Sequence, residues 1–207
     1  MAISRRQFVG LGAGAVCTFA FGGAVKAFGA NGELLRPPVV LDEDDFIAKC
    51  VRCNRCIGVC HTGALASATL EDGLLEIKTP KFDFHRGSCD FCNECVRVCP
   101  TAAITTCDPL APSTGRIGCA VVVSDRCLAF YNGCDKCVQT CPYGALSTDE
   151  FGHPVVNEEK CNGCGVCENV CPALVYRTFS GGTMRGIVVA KDPQNFKAQL
   201  EAGEVNA

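Results

Sequence analysis

The sequence predicts an α+β protein built from two tandem modules, each a set of short helices and hairpins folded around cysteines. Sixteen of the 19 cysteines fall in four groups of four between Cys50 and Cys171. A similar pattern follows the groups, as in Cys99-Pro-Thr-Ala-Ala-Ile104 and Cys141-Pro-Tyr-Gly-Ala-Leu146, so one supersecondary unit is used four times. The turn-rich stretch 108–115 separates the second group from the third and predicts the module boundary.

The spacing within the groups is that of bacterial ferredoxins, C-x₂-C-x₂-C-x₃-C, followed by proline in three of the four groups. Short x₂ gaps wrap a loop around one cluster, and the x₃ step starts a short helix that carries the fourth sulfur to the neighbouring cluster. The third group departs from this spacing, because its first gap is x₆. We therefore expect four [4Fe–4S] clusters, with these groups as iron ligands: Cys50, Cys53, Cys56, Cys60; Cys89, Cys92, Cys95, Cys99; Cys127, Cys134, Cys137, Cys141; and Cys161, Cys164, Cys167, Cys171.

Pairing of neighbouring groups is the expected arrangement of these ligands. This tandem pairing gives the sets Cys50, Cys53, Cys56 and Cys99; Cys89, Cys92, Cys95 and Cys60; Cys127, Cys134, Cys137 and Cys171; and Cys161, Cys164, Cys167 and Cys141. A nested pairing, of the first group with the fourth and the second with the third, uses the same cysteines and is the open alternative.

Other cysteine chemistries fit the sequence less well. Cysteine at 19 of 207 residues would by itself favour a disulfide scaffold. Disulfide scaffolds do not repeat this run, however, and zinc sites use separated cysteine pairs. The sequence contains no nucleophile–base pairing, phosphate loop or flavin fingerprint, so we predict no catalytic residue. Because aromatic residues are sparse, we expect the clusters to form much of the core and the chain to be unfolded without them.

Three further residues lie near the groups without belonging to them. Cys107 and Cys119 lie outside the runs and are predicted to be buried small apolar side chains, with a disulfide across the linker as the alternative. His61 stands where proline follows the other fourth cysteines. An ordinary solvated or packed histidine is the simpler interpretation, and a histidine that ligates or tunes a cluster is the sharper one.

The N-terminus has the pattern of an export signal. Ser4-Arg5-Arg6-Gln7-Phe8 precedes a weakly apolar, Gly/Ala-rich stretch, which is the twin-arginine pattern. It predicts export of the folded, cluster-loaded chain by the twin-arginine translocase to the periplasm or the outer face of the cytoplasmic membrane, with an uncleaved signal as a membrane anchor in the alternative. Without the first 27 residues the chain has 16 basic and 22 acidic residues, which disfavours nucleic-acid binding.

The predicted divisions of the chain follow from these features. They are a signal segment (1–30), a linker (31–47), a first dicluster module (48–112), a second dicluster module (113–191) and a polar, frayed tail (192–207).

Local patterns predict the elements between the cysteines. In the first module we expect an acidic helix start before Cys50, a hairpin with Asp72-Gly73 at its turn between Leu70 and 74–77, and a strand at 82–84. In the second module we expect a strand at 120–123 and a turn at 151–153. A closing hairpin is predicted from strands 175–179 and 187–190.

Three segments together resemble the ferredoxin-type proteins of the MauM/NapG group. They are the twin-arginine start, Leu35-Arg36-Pro37-Pro38, and the stretched third group from Cys127 to Pro142. The resemblance covers nearly the whole chain, with departures at His61 and in the plain spacing of the second group.

This resemblance implies an exported four-cluster electron-transfer subunit that is not itself an enzyme. Its implied partner is a polytopic membrane quinol-oxidising protein (NapH-like), with which it would form a quinol dehydrogenase. Electrons would pass toward a periplasmic redox enzyme or cytochrome, such as nitrate reductase, or, in the MauM branch, within a methylamine dehydrogenase system.

Two other functions are carried as alternatives. One is the four-cluster β subunit of a molybdopterin oxidoreductase of the dimethyl-sulfoxide-reductase type, against which the chain's own export signal argues mildly. The other is a disulfide-rich structural exported protein, which would be colourless and free of labile sulfide.

Overall fold

The structure is a computed structural model that describes residues 34–38, 40, 42–106, 116–173 and 184–203. The helices within these ranges are α1 (Glu43–Lys49), α2 (Arg55–Val59), α3 (Glu94–Arg97), α4 (Ala129–Asn132), α5 (Lys136–Thr140), α6 (Val166–Asn169) and α7 (Pro193–Ala202). The strands are β1 (Leu65–Ser67), β2 (Pro80–Phe82), β3 (Cys119–Val122), β4 (Leu146–Thr148), β5 (Pro154–Val156) and β6 (Ile187–Ala190). The export signal, Cys107, the stretch 108–115 and the predicted strand 175–179 lie outside the described residues.

The strands form three antiparallel two-stranded sheets. β1 pairs with β2, β4 with β5, and β3 with β6. Isolated two-stranded sheets are marginally stable in water, so each one depends on packing against the cysteine loops. The α+β architecture predicted from the sequence is confirmed.

Four of the short helices are placed by the cysteine spacing. α2, α3, α5 and α6 each contain the third cysteine of a group, and the fourth cysteine follows shortly after the helix. This is the helix start that the x₃ step predicts.

The segment before the first cysteine group is packed rather than loose. Asp42 caps α1 by accepting hydrogen bonds from the backbone of Asp44 and Asp45, as the acidic helix start predicts. Arg36 is buried, and its guanidinium forms ion pairs with Glu43 and Glu76. The same guanidinium lies 4.9 Å from the centre of the Phe46 ring. The predicted linker therefore contributes to the core of the first module.

The hairpin predicted around Asp72-Gly73 is wrong. Residues Leu70–Asp72 form a 3₁₀ turn. The strands that pair are β1, which precedes this turn, and β2, which follows the predicted second strand. Asp72 accepts a hydrogen bond from the backbone N–H of Thr69 and forms an ion pair of 2.6 Å with Lys81. These polar contacts tie the intervening loop down in place of a strand ladder.

The frayed tail predicted from residue 192 is also wrong over its first part. α7 begins after Asp192, whose carboxylate accepts hydrogen bonds from two backbone N–H groups. Pro193 occupies the first turn, and Gly203 closes the helix with a left-handed backbone conformation. These are ordinary helix start and stop signals, so the sequence carried the information.

One hydrophobic core crosses the predicted module boundary. Phe84 and Phe91 of the first module share it with Ile117, Cys164 and Val189 of the second. The approach of the two modules is close, because a Cβ atom at Gly165 would lie 2.0 Å from the Phe84 ring. The two modules therefore pack as one body around their cysteines.

Candidate iron–sulfur centres

The thiols of the first group meet one cysteine of the second group. Cys50, Cys53 and Cys56 line a cavity together with Cys99, which arrives from the far end of the second group. Apolar side chains, including Phe46 and Ile104, form the rest of the wall.

Two cavities of the second module have the same construction. One is lined by Cys127, Cys134, Cys137 and Cys171, and the other by Cys161, Cys164, Cys167 and Cys141. In both, the fourth cysteine comes from the neighbouring group. The cysteines that share each of these three cavities are those of the tandem pairing.

The remaining four cysteines are also close neighbours. Burial raises the pKa of Cys89 to about 12, and the nearby Cys95 and Cys60 thiols act in the same direction. Burial likewise raises the pKa of Cys95 to about 11, with Cys92 and Cys60 contributing. Cys60 is thus brought from the first group to the three thiols of the second.

The donor set suits iron–sulfur clusters. The seventeen cysteines that lie in the described residues are all free thiols. Burial is the largest cause that raises the pKa of Cys56 to about 12 and that of Cys137 to about 12, with neighbouring thiols adding to it. Buried thiols crowded in this way lose their protons favourably only when a cation compensates the charge.

The loops that carry the cysteines share an unusual backbone. The residues on both sides of the second cysteine have positive φ in three of the groups: Arg52 and Asn54, Phe91 and Asn93, Gly163 and Gly165. Non-glycine residues adopt this conformation at a cost of about 1 kcal/mol or more each. Such turns aim successive backbone N–H groups into a concave anion-binding nest, which complements a negatively charged cluster.

The stretched third group departs from this backbone pattern. Gly133, before its second cysteine, has a φ of 72°, but Asp135, after it, has a φ of −125°. The extra residues of its first gap form α4.

Hydrogen bonds to cysteine sulfur involve two threonines that the sequence analysis missed. The hydroxyl of Thr62 lies 3.4 Å from the sulfur of Cys60, and that of Thr101 lies 3.7 Å from the sulfur of Cys99. The sequence pattern that could have identified them is Cys-x-Thr, which begins at the fourth cysteine of both groups of the first module. Donation to a ligand sulfur is one of the ways in which proteins tune cluster potentials.

Cys119 is fully buried, which confirms that part of its prediction, and it is more than an apolar filler. Its thiol lies 3.7 Å from the carbonyl oxygen of Ala120, to which it can donate, and a hydrogen bond between it and the Cys161 sulfur is the main cause that lowers the pKa of Cys161. The backbone N–H of Ala120 also donates to the Cys161 sulfur, at 3.4 Å. Cys119 and Ala120, at the start of β3, thus both interact with the Cys161 sulfur.

His61 lies beside the second group. Its Nε2 is 2.9 Å from a carboxylate oxygen of Asp90, and its Nδ1 is 3.9 Å from the sulfur of Cys92. All three side chains are exposed. The imidazole therefore lies beside an exposed cysteine and is itself exposed to solvent.

Comparison with known proteins agrees with this site. A family model described as the 4Fe-4S dicluster domain matches residues 49–103 and again residues 126–175. The ferredoxin-type protein NapG of Escherichia coli is 34% identical, over 69% of this chain and 68% of its own length.

The chain belongs to the NapG and MauM group of ferredoxin-type proteins. Its MauM relatives include the methylamine utilization ferredoxin-type proteins of Methylorubrum extorquens and Methylophilus methylotrophus. The first is 30% identical over 69% of this chain and 70% of the relative. The second is 34% identical over 82% of this chain and 80% of the relative.

Membership confirms the resemblance drawn from the sequence and a role as an iron–sulfur electron-transfer protein that binds [4Fe–4S] clusters. It removes the disulfide-rich structural protein from consideration. Within the described residues, every helix is too short or too polar to span a membrane.

Proposed function

We propose that this NapG/MauM-type protein is an exported subunit that carries four [4Fe–4S] clusters between a membrane quinol-oxidising protein and a periplasmic redox enzyme or cytochrome. The twin-arginine pattern supports export and assembly before translocation. The family supports the electron-transfer role. The predicted division into two dicluster modules belongs to the same proposal.

The observation that carries the count of four is the exchange of fourth cysteines. Cys99 closes the set of Cys50, and Cys171 closes the set of Cys127. Cys141 closes the set of Cys161, and Cys60 lies with Cys89. Sixteen thiolates in four such sets are the ligands of four clusters in the proposal, and a [4Fe–4S] cluster supplies reversible one-electron transfer when bound.

The protein's own residues bind the clusters, shield them from solvent and tune their reduction potentials. The cysteines of the four groups hold iron, and the apolar walls of the cavities limit the access of water to it. Hydroxyl, thiol and backbone donors on the sulfurs stabilise added negative charge. We propose no bond-breaking chemistry at any of the sites.

Metal analysis of purified protein tests the ligands. Anaerobically purified protein should contain iron and labile sulfide equivalent to four clusters, and Cys92→Ser should lose or convert one of them. Cys119→Ser is the matched control, because it changes a buried cysteine outside the ligand sets. A wild-type content of only two clusters, or an unchanged iron count and EPR spectrum in Cys92→Ser, would contradict the assignment.

The partners are tested by purification of the tagged protein from its native membranes. A polytopic membrane protein with its own cysteine motifs should copurify. A stoichiometric molybdopterin subunit in its place would make the chain the β subunit of a reductase. Changing Arg5 and Arg6 to lysine should retain the protein in the cytoplasm, and normal export of this variant would overturn the twin-arginine assignment.

A further inference from the structure

Three phenylalanine or tyrosine side chains of the described residues are exposed; Phe130 and Phe151 both contact the ring of His153, and Tyr131 follows Phe130 in α4. Phe130, Tyr131 and Phe151 are 41%, 63% and 80% exposed. We call these three, together with the ring of His153, the aromatic face.

Hydrogen bonds and ring stacking order the aromatic face. The His153 ring stacks on Phe130, with centroids 4.0 Å apart and planes 9° apart, and its centroid lies 6.0 Å from that of Phe151. Asp149 fixes the positions of Phe151 and His153. Its carboxylate accepts hydrogen bonds from the backbone N–H groups of both residues and lies 3.2 Å from Nδ1 of His153. The face is therefore a built surface of rings held toward solvent.

The stretched cysteine gap supplies two members of the face, Phe130 and Tyr131. In the other three groups two residues separate the first two cysteines, whereas six separate Cys127 from Cys134. The longer gap forms α4, which buries Ala129 and exposes Phe130 and Tyr131. Two proposed iron ligands thus bracket the helix that presents the rings.

The surroundings of the face are acidic. The segments 124–136 and 149–153, which carry it, contain four carboxylates and two basic residues. Of the basic residues, Arg126 is buried, with its guanidinium toward the carbonyl of Met184. The backbone N–H of His153 is the main cause that lowers the pKa of Asp149, and the backbone N–H of Phe151 adds to it. This carboxylate is therefore charged at neutral pH. Asp125 borders Tyr131, whose hydroxyl donates to the Asp125 carbonyl at 3.3 Å.

We propose that the aromatic face docks an electron-transfer partner whose contact surface has an apolar centre ringed by lysine and arginine, the chemistry of the exposed haem edge of a small c-type cytochrome. Aromatic side chains are enriched at the energetic centres of interfaces, and opposite charges around them guide encounter. An anionic lipid surface and a second copy of this chain both fit less well, because their charge matches that of the acidic rim. The inference rests on the proposed electron-transfer function and names the surface that it uses.

Binding of a lysine-rich c-type cytochrome to the full, cluster-loaded chain tests the proposal. The change in affinity should be measured by calorimetry at low salt for Tyr131→Ser and Phe151→Ser, each exposed enough to leave the fold unchanged. We expect each substitution to weaken binding about tenfold, and added salt to weaken binding of the wild type. Leu70→Ser is the matched control, since Leu70 is 67% exposed and lies in the first module, and it should bind as the wild type does.

Three results would overturn the proposal. They are equal affinity of the wild type and both aromatic variants, a Leu70→Ser effect as large as theirs, and loss in the variants of binding to anionic vesicles instead of the cytochrome.

The test separates this proposal from the proposed function. Protein reduced with dithionite, and then freed of it, should give one electron at a time to the ferric cytochrome. If the variants reduce it as fast as the wild type does, the docking surface is wrong and the function stands. If the cytochrome binds at the aromatic face but is never reduced by iron-replete protein, the proposed function fails.

Discussion

The backbone N–H of Cys89 donates a hydrogen bond of 2.8 Å to the carbonyl oxygen of Cys164, which joins a cysteine loop of the first module to one of the second. Beside this bond the rings of Phe91 and Tyr143 meet edge to face, with centroids 6.2 Å apart. The proposed ligand sets that contain Cys89 and Cys164 are therefore direct neighbours across the module boundary. We infer that electrons cross between the modules at this contact, which leaves the sets of Cys50 and Cys127 at the two ends.

Gly165→Ala should damage the packing between the modules. The added Cβ would overlap the Phe84 ring at 2.0 Å, and the residue has a φ of 77°. Overpacking and the left-handed backbone together predict a loss of about 2–4 kcal/mol. Gly144→Ala is the control, because its φ is 58° and nothing lies within 4 Å of its Cβ. The rate of loss of visible absorbance on warming should rise far more in Gly165→Ala than in Gly144→Ala, and equal rates would contradict the predicted overlap.

Arg36→Ala should strongly destabilise the first module. The substitution leaves the carboxylate of Glu76, which is 13% exposed, without its guanidinium partner. Removing one member of a buried ion pair costs about 3–5 kcal/mol. Arg97→Ala removes an exposed ion pair with Glu94 and should cost about 1 kcal/mol or less. Thermal stability of the two variants measured side by side checks this, and a similar loss in both would show that Arg36 is dispensable.

Cys119→Ala should lower the reduction potential of the cluster held by Cys161. The variant loses the thiol donor to that sulfur, and a donor stabilises the extra negative charge of the reduced state. Cys119→Ser keeps a donor of similar size and should restore most of the potential. Redox titration followed by EPR gives the measurement. A potential that is the same in the alanine variant and the wild type would limit Cys119 to a packing role.

His85 should make stability depend on pH near neutrality. Burial and the charge of Arg185 lower its pKa, so the folded state favours the neutral imidazole. The unfolded chain binds this proton with the ordinary pKa of ~6.5, whereas the folded protein binds it only at lower pH. The free energy of unfolding is therefore highest above pH ~6.5 and decreases as the pH falls below that value. Burial raises the pKa of nearby Glu168 to about 7, so the folded protein binds a proton there that the unfolded chain does not. This group increases stability as the pH falls, opposite to His85.

The check for His85 is a comparison of His85→Gln with the wild type at pH 8 and pH 6. The loss of stability on acidification should be smaller in the variant. A loss of equal size in both proteins would assign the pH dependence to other groups.

The sequence was informative where chemistry acts over a few residues and weak where contacts are distant. The spacing of cysteines predicted the short helices, because each helix must begin at a fixed step from its ligands. The turn signal at Asp72-Gly73 predicted the wrong hairpin because a local signal does not tell which strands pair. Here Lys81 and Thr69 bind Asp72 and anchor the loop. The contact of Gly165 with Phe84 joins distant parts of the chain, so no local pattern predicted it.

Removal of iron should unfold the protein. Cys56, Cys95 and Cys164 are members of the main hydrophobic core, so proposed iron ligands form part of the core itself. Without iron these thiols lose the bonds that fix their loops, and the positive-φ residues beside them lose the compensation for their strain. Anaerobic chelation should abolish most of the ordered circular dichroism signal, and reconstitution with iron and sulfide should restore it. A folded apoprotein with unchanged thermal stability would show that the hairpins and helices hold together by their apolar contacts alone.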